Sequence, residues 1–254
     1  MDYYSKTILI TGASSGIGES YAEKFASLGA NLILVARSED SLKKLAAKLS
    51  EKHKVQTDVV VLDLSTANAA AELFQKHPEI YGLVNNAGFG THGALQDQDA
   101  AKVNQEIQLN CGTLVDLTQT YLPGLLQRNE GFILNVASIA AFQPSPYMAV
   151  YSATKAFVLS FTQALWGELQ GTGVTALAIC PGATKTNFFV EAGSESAAVG
   201  RMRTADQVVN TTMKALEKGK HTAIDGAANK LLSFFGRVAP RNLVIPMVGR
   251  MMKN

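Results

Sequence analysis

The chain has 254 residues, 47% of them hydrophobic and 17% charged, with a formal net charge of +2. This length suits one large α/β domain or two small ones, and so apolar a composition buries a sizeable core and argues against intrinsic disorder. A near-neutral charge with no basic stripe of interleaved aromatics gives no footprint for nucleic acid.

Short apolar, β-branched runs alternate with helix-period segments along the chain. Strands are predicted at 7–11, 31–36, 58–63, 81–85, 131–137 and 174–180, with a weaker one at 221–225. Helices are predicted between them at 17–28, 39–53, 66–76, 99–127, 151–170 and 204–219. Such alternation implies right-handed crossovers and a parallel sheet covered on both faces. Runs such as Phe132-Ile133-Leu134 and Leu177-Ala178-Ile179 suit central strands buried on both sides. The expected architecture is a single-domain, doubly wound α/β three-layer sandwich over residues 1–225, followed by an extension at 226–254.

The first strand runs into Thr11-Gly12-Ala13-Ser14-Ser15-Gly16-Ile17-Gly18, which opens the first helix. A buried strand turning sharply into a helix gathers free N–H groups and a positive dipole end, which is a phosphate site. Glycines are needed there because a Cβ would clash in the turn or hold a pyrophosphate off the backbone. Gly12, Ser14, Ser15, Gly16, Ile17 and Gly18 are therefore candidate cofactor ligands. The second strand ends in Arg37-Ser38 with no carboxylate to meet a ribose. A guanidinium fork and a hydroxyl suit a 2′-phosphate, which points to NADP(H) rather than NAD(H). The alternatives are a solvated Arg37 and a Ser38 that caps the helix at Glu39.

Asp63 closes the third strand, where the carboxylate is placed to accept from an adenine amino group, and Leu64 beside it is a further candidate cofactor contact. Capping of the next helix is the competing role, for which Ser65 is better placed. Asn85-Asn86-Ala87-Gly88 ends the fourth strand, and its paired amides can tie strand ends while small residues let a cofactor approach. Ser138 follows the fifth strand. Tyr151 and Lys155, four apart in a helical stretch, project on one face. A nearby ammonium favours the phenolate and so tunes a phenol whose reference pKa is ~10.

These residues together resemble the short-chain dehydrogenase/reductase family, over about residues 5–225. The resemblance rests on Thr11 to Gly18, Asp63, Asn85 to Gly88, Asn110, Ser138, Tyr151, Lys155 and Pro181-Gly182. It implies a Rossmann fold with seven parallel strands and a nicotinamide cofactor. In the tetrad it implies, Tyr151 exchanges a proton, Lys155 holds the nicotinamide ribose and tunes Tyr151, and Ser138 orients a carbonyl. Asn110 would support a water-linked relay, and Pro181, Gly182, Thr184 and Thr186 would meet the carboxamide. The expected activity is NADPH-dependent reduction of an apolar ketone, aldehyde or 3-oxoacyl compound. Competing readings are an NADP(H)-sensing protein without turnover and a dehydrogenase of alcohols or hydroxysteroids working oxidatively.

The region 185–203 breaks the rhythm and reads as a substrate lid, and Phe142, Tyr147, Met148, Phe188 and Phe189 are candidate pocket walls. After Asp225 the chain carries Lys230, Arg237, Arg241, Arg250 and Lys253 and no acidic residue, leaving the first 225 residues at −3. Leu231, Phe234, Phe235 and Val238 recur at helical spacing, as do Val244, Val248 and Met251, with Pro240 and Pro246 interrupting. A helix packed on its own core or on a dimer partner is the first expectation. A flap over the crevice and attachment to an anionic membrane surface stand behind it. The family's usual glycine-rich ending is reduced to Ile224-Asp225-Gly226, which favours a homodimer over a tetramer.

Cys111 and Cys180 fall in a predicted helix and strand and read as free thiols of a reducing compartment. The four histidines are scattered without metal-ligand spacing, so no metal is expected. Met1–Lys6 leads straight into a strand without a signal-peptide pattern, and no run is clean enough to span a bilayer. A cytoplasmic location is expected.

Overall fold

The computed structural model describes residues 1–188, 193 and 202–253. Its seven strands are β1 (Thr7–Thr11), β2 (Asn31–Ala36), β3 (Thr57–Val61), β4 (Gly82–Asn85), β5 (Gly131–Val136), β6 (Val174–Cys180) and β7 (Thr222–Ile224). They form one parallel sheet in the order β3-β2-β1-β4-β5-β6-β7. The strand order reverses between β1 and β4, and at that point the connections diverge to opposite faces and leave a crevice beyond the strands' carboxyl ends.

Period-two alternation along the strands builds two cores, one on each face. Ile8, Ile10, Leu32, Leu34, Phe132 and Leu134 point to one face, against α1 (Gly16–Ser27) and α2 (Glu39–His53). Leu9, Ile33, Leu83, Ile133 and Ala176 point to the other, with α3 (Ala69–Lys76), α5 (Leu114–Arg128) and α6 (Ala149–Glu168) over them. Helix α1 buries Tyr21, Ala22, Phe25 and Ala26, a stripe at helical spacing. Its Phe25 stacks on Phe132 at 5.6 Å and meets Tyr3 edge-on at 5.3 Å. Helix α7 (Ala205–Leu216) lies beside α1, where the Tyr21 and Thr212 hydroxyls bond at 2.7 Å.

Three elements differ from expectation. The helix predicted from residue 66 begins at Ala69, because Thr66 and Ser65 bond back to Asp63 and Asn68 takes a left-handed conformation. The long helix predicted over 99–127 is split into α4 (Ala100–Ile107), a π-helical turn at Gln108–Thr113 and α5. Asn110, fully buried, sits inside that turn. Such widened turns recur at functional sites.

The third difference is the extension, which forms α8 (Ala227–Val238) and α9 (Arg241–Met252). In α8 the buried residues are Ser233 and Gly236, while Leu231, Phe234, Phe235 and Val238 face outward. Small residues win the inner face because the contact is close. A Cβ on Gly236 would lie 2.8 Å from Gln143 Oε1 and 3.2 Å from the Phe142 carbonyl. In α9, Val244 and Val248 are buried as expected, but Met251 is exposed, and Pro246 is carried inside the helix rather than ending it.

Phe132 is fully buried against Phe25, Tyr3 and Tyr81. Phe132→Ala is expected to lower stability by about 3–5 kcal/mol in urea unfolding; a loss below about 1 kcal/mol would contradict this packing.

Candidate active site

A crevice of ≈ 550 Å³ opens at the carboxyl edge of β1, β2, β4, β5 and β6. At its floor Gly12, Ser14, Ser15, Gly16 and Ile17 turn from β1 into α1. Gly12 has φ +63°, and a Cβ there would lie 2.8 Å from Asn86 Nδ2. Gly18 does not line the crevice. Its missing Cβ would strike the Gly12 carbonyl, so its role is to let α1 sit tightly on the turn. Ser15 is the residue before α1 and its side chain makes no cap hydrogen bond, so it faces the helix's positive end ready for an anion.

Thr11 joins this turn to the next one. Its hydroxyl donates to the Val84 carbonyl and accepts from the backbone N–H groups of Asn86 and Ala87, both at 3.0 Å. Asn86 Nδ2 donates in return to the Thr11 and Gly12 carbonyls at 3.0 and 3.1 Å. Asn85 points the other way and ties β4 to β5 by donating to Asn135 Oδ1 at 2.9 Å.

At the rim, Arg37 and Ser38 line the crevice and are exposed. Ser38 occupies the position before α2 without capping it, and its hydroxyl bonds Ser41 at 2.9 Å instead. Asp63 and Leu64 also line the crevice. Asp63 accepts from the Ser65 hydroxyl and N–H, and those bonds, with the Arg37 charge, hold its carboxyl below the usual range. Arg37 therefore stands close to the one carboxylate on the crevice wall among the described residues.

The opposite end carries Ser138, Tyr151 and Lys155. Lys155 is buried; its Nζ donates to the Val136 carbonyl at 2.8 Å and lies 5.7 Å from the centre of the Tyr151 ring. Burial pushes the Tyr151 phenol up to about 12, against the pull of a hydrogen bond with Ser138. Burial likewise pulls the Lys155 ammonium down to about 8. The sequence led us to expect a phenol tuned downward by its ammonium. Desolvation by the closely packed protein dominates here, and the pull downward on the phenol comes from the Ser138 hydrogen bond.

Asn110 lies behind the wall rather than on it. It accepts from Phe89 N–H at 3.2 Å and donates to the Phe89 carbonyl at 2.8 Å and to Thr154 Oγ1 at 3.1 Å. Both amide hydrogens are thus committed to tying the loop after β4 to α6. Pro181, Gly182, Thr184 and Thr186 line the far side, and Thr186 packs against Gly16.

Among the expected pocket walls, Met148 and Phe188 line the crevice, and Phe188 sits 5.1 Å from the Tyr151 ring. Phe142 and Tyr147 do not. Phe142 turns into the core behind the crevice and carries Arg237 over its ring at 4.8 Å, and Tyr147 faces His92. Phe189 and most of the expected lid at 185–203 lie outside the described residues. The ends of that segment are joined by a parallel bridge between Thr184 and Arg203, and the Arg203 guanidinium pairs with buried Asp225.

Sequence reasoning missed Glu106. It is fully buried in α4, and its Oε2 accepts from Thr91 N–H and Oγ1 at 3.0 and 2.7 Å. Its Oε1 has no partner among the described residues, and burial pushes the carboxyl up. Its charge acts on both Lys155 and Tyr151. Its spacing of four residues from Asn110 is the signal that could have found it. Met252 of α9 also reaches the crevice, held by its carbonyl at 2.8 Å from a His92 ring nitrogen.

Residues 6–197 match the family described as short chain dehydrogenase, and the chain belongs to that family of oxidoreductases. It is 40% identical to sulfoacetaldehyde reductase 2 of Chromohalobacter salexigens over 76% of this chain and 79% of the relative. A short-chain dehydrogenase from Sphingobium yanoikuyae solved with NADPH superposes with a TM-score of 0.84 at 33% identity, over 94% of both chains. A family member from Burkholderia phymatum solved with NAD gives the same TM-score at 25% identity, over 92% of this chain and 94% of that one. The cofactor class is thus NAD(P)(H), and the fold is the Rossmann-type sheet that the sequence led us to expect.

A buried ammonium destabilises the folded chain wherever it is protonated. Because the folded pKa of Lys155 lies near 8 and its ordinary value is 10.5, the unfolded chain binds the extra proton between those limits and stability rises with pH there. Any stability advantage of Lys155→Met over the parent, measured by thermal unfolding without cofactor, is therefore expected to shrink from pH 8 to 10. A pH-independent difference would contradict it.

Proposed function

We propose that this protein is an NADPH-dependent reductase of apolar carbonyl compounds. The observation that carries the reading is that Tyr151, Ser138 and Lys155 share one continuous crevice with a phosphate turn and Arg37. A dinucleotide fits the residues present. Its pyrophosphate would lie on the turn from Gly12 to Ile17, Asp63 would accept from the adenine amino group, and Arg37 with Ser38 would hold a 2′-phosphate. Asn86, Ala87 and Gly88 would leave room along its length, and Pro181, Gly182, Thr184 and Thr186 would meet the carboxamide. Bound there, the nicotinamide supplies a hydride to the carbonyl carbon.

The protein's own residues handle the oxygen. Tyr151, kept protonated by burial, donates its proton to the carbonyl oxygen as charge develops on it, and Ser138 donates a second hydrogen bond to the same atom. Lys155 then faces a phenolate, and its ammonium stabilises that charge; it would also hold the ribose hydroxyls of the cofactor. Asn110 is a positioning residue: it holds Phe89 and, through Thr154, the helix that carries the phenol and the ammonium. Met148 and Phe188 give the substrate end an apolar wall, which supports a ketone, aldehyde or acyl compound of low polarity. A cell keeps NADP largely reduced, which supports reduction over oxidation. The expected split into a catalytic unit at 1–225 and an extension at 226–254 stays part of this proposal, with Met252 bringing the extension to the crevice mouth.

Tyr151→Phe is expected to lower the rate of NADPH oxidation over a panel of carbonyls by about 10²–10⁴-fold. Cofactor binding, read by fluorescence titration, should stay within about threefold of the parent, since the phenol acts on the proton and not on affinity. Equal turnover would remove the enzyme reading. Arg37→Asp is expected to shift the NADP/NAD affinity ratio toward NAD by at least about tenfold; an unchanged ratio would contradict the placing of the 2′-phosphate.

A further inference from the structure

The extension is turned inside out for a helix of a free-standing protein. On α8, Leu231, Leu232, Phe234, Phe235 and Val238 are each 49–60% exposed, while Ser233 and Gly236 face the protein. On α9, Leu243 and Met247 are exposed with Arg250 on the same face, at i, i+4 and i+7. Exposed aliphatic and aromatic side chains grouped along two consecutive helices mark a contact surface rather than scattered exposure.

Charge decides what the surface fits. Lys230 and Arg237, seven residues apart, run along one flank of the α8 stripe, and Arg241, Arg250 and Lys253 follow, all exposed, with Arg237 lying over the Phe142 ring and Arg241 donating to the Gly236 carbonyl. The stretch 226–254 holds these five cations and no acidic side chain. A second copy meeting this face with its own would set cations against cations with no carboxylate from either extension to pair them. An anionic bilayer surface satisfies both features at once, since acyl chains take the apolar stripe and headgroups take the flanking cations. Helices α8 and α9 have 12 residues each, and no described helix is long and apolar enough to cross a membrane, so the geometry is that of helices lying in the interface.

We propose that α8 and α9 dock the protein on anionic membrane surfaces. The end of α9 reaches the crevice at Met252, so docking sets the crevice mouth beside the lipid. The surface is independent of the catalytic reading, and its test reads lipid binding, with turnover only a control on the variants.

The full-length protein is sedimented with vesicles of phosphatidylcholine alone and of phosphatidylcholine with phosphatidylglycerol, alongside the F234S/F235S double variant and the K230E/R250E double variant. The parent is expected to bind the anionic vesicles at least about tenfold better than the neutral ones and to be released by high salt. Each variant should lose about tenfold or more of that binding, keep its far-ultraviolet spectrum and keep its NADPH oxidation with a water-soluble carbonyl. Parent protein left in the supernatant overturns the proposal, as does equal binding to both vesicle types. So does a parent dimer that F234S/F235S dissociates when neither protein binds lipid, because the face then belongs to a second copy.

Discussion

Two backbone turns, one after β1 and one after β4, have to approach within a single hydrogen bond of each other for this site to exist. Thr11 and Asn86 hold them there by satisfying groups that the reversal of strand order leaves without ladder partners. Buried backbone groups left unpaired at that point would cost on the order of 1–3 kcal/mol each. The same few bonds therefore stabilise the sheet at its switch point and shape the floor of the crevice. The tightness also explains the glycines, since Gly18 supports the Gly12 carbonyl from below and Gly12 yields to Asn86 from above. A side chain at either place would push the turns apart.

At the other end the protein works against its own stability. Lys155, Tyr151, Glu106 and Asn110 are gathered behind or beside the crevice with little water to solvate them. Burial raises the phenol and the carboxyl and lowers the ammonium, so each is biased toward its neutral form. The π-helical turn around Asn110 belongs to the same arrangement, because it lets the amide reach Phe89 and Thr154 from a helix that would otherwise carry it past them.

Much of this was legible in the chain. Period-two and period-3.6 patterns marked the strands and principal helices to within a few residues, because buried strands and amphipathic helices write their burial directly into the sequence. Glycine spacing, Tyr151 with Lys155, and Ser138 at a strand end marked the crevice, since each needs a particular residue type at a particular distance. What stayed hidden was direction. The apolar stripe of α8 says that one face is oily but not which way it turns, and the close approach of Gly236 to Phe142 decides that. Phe142 and Tyr147 looked like pocket walls because aromatic rings near Tyr151 carry no mark of orientation. Glu106 drew no reading because a single carboxylate in a helix is usually solvated, and only the fold buries it.

The staple at the root of the segment after β6 has a consequence for how such a chain diversifies. Ala183 and Lys185 meet Arg203 through the two backbone bonds that make the bridge at Thr184, and Arg203 is itself anchored on Asp225, which Thr211 and Asn229 brace. With both stems clamped, the entropic cost of closing the span is met at its base and grows only slowly with length. A chain of this build can therefore change length between the clamps without moving either stem.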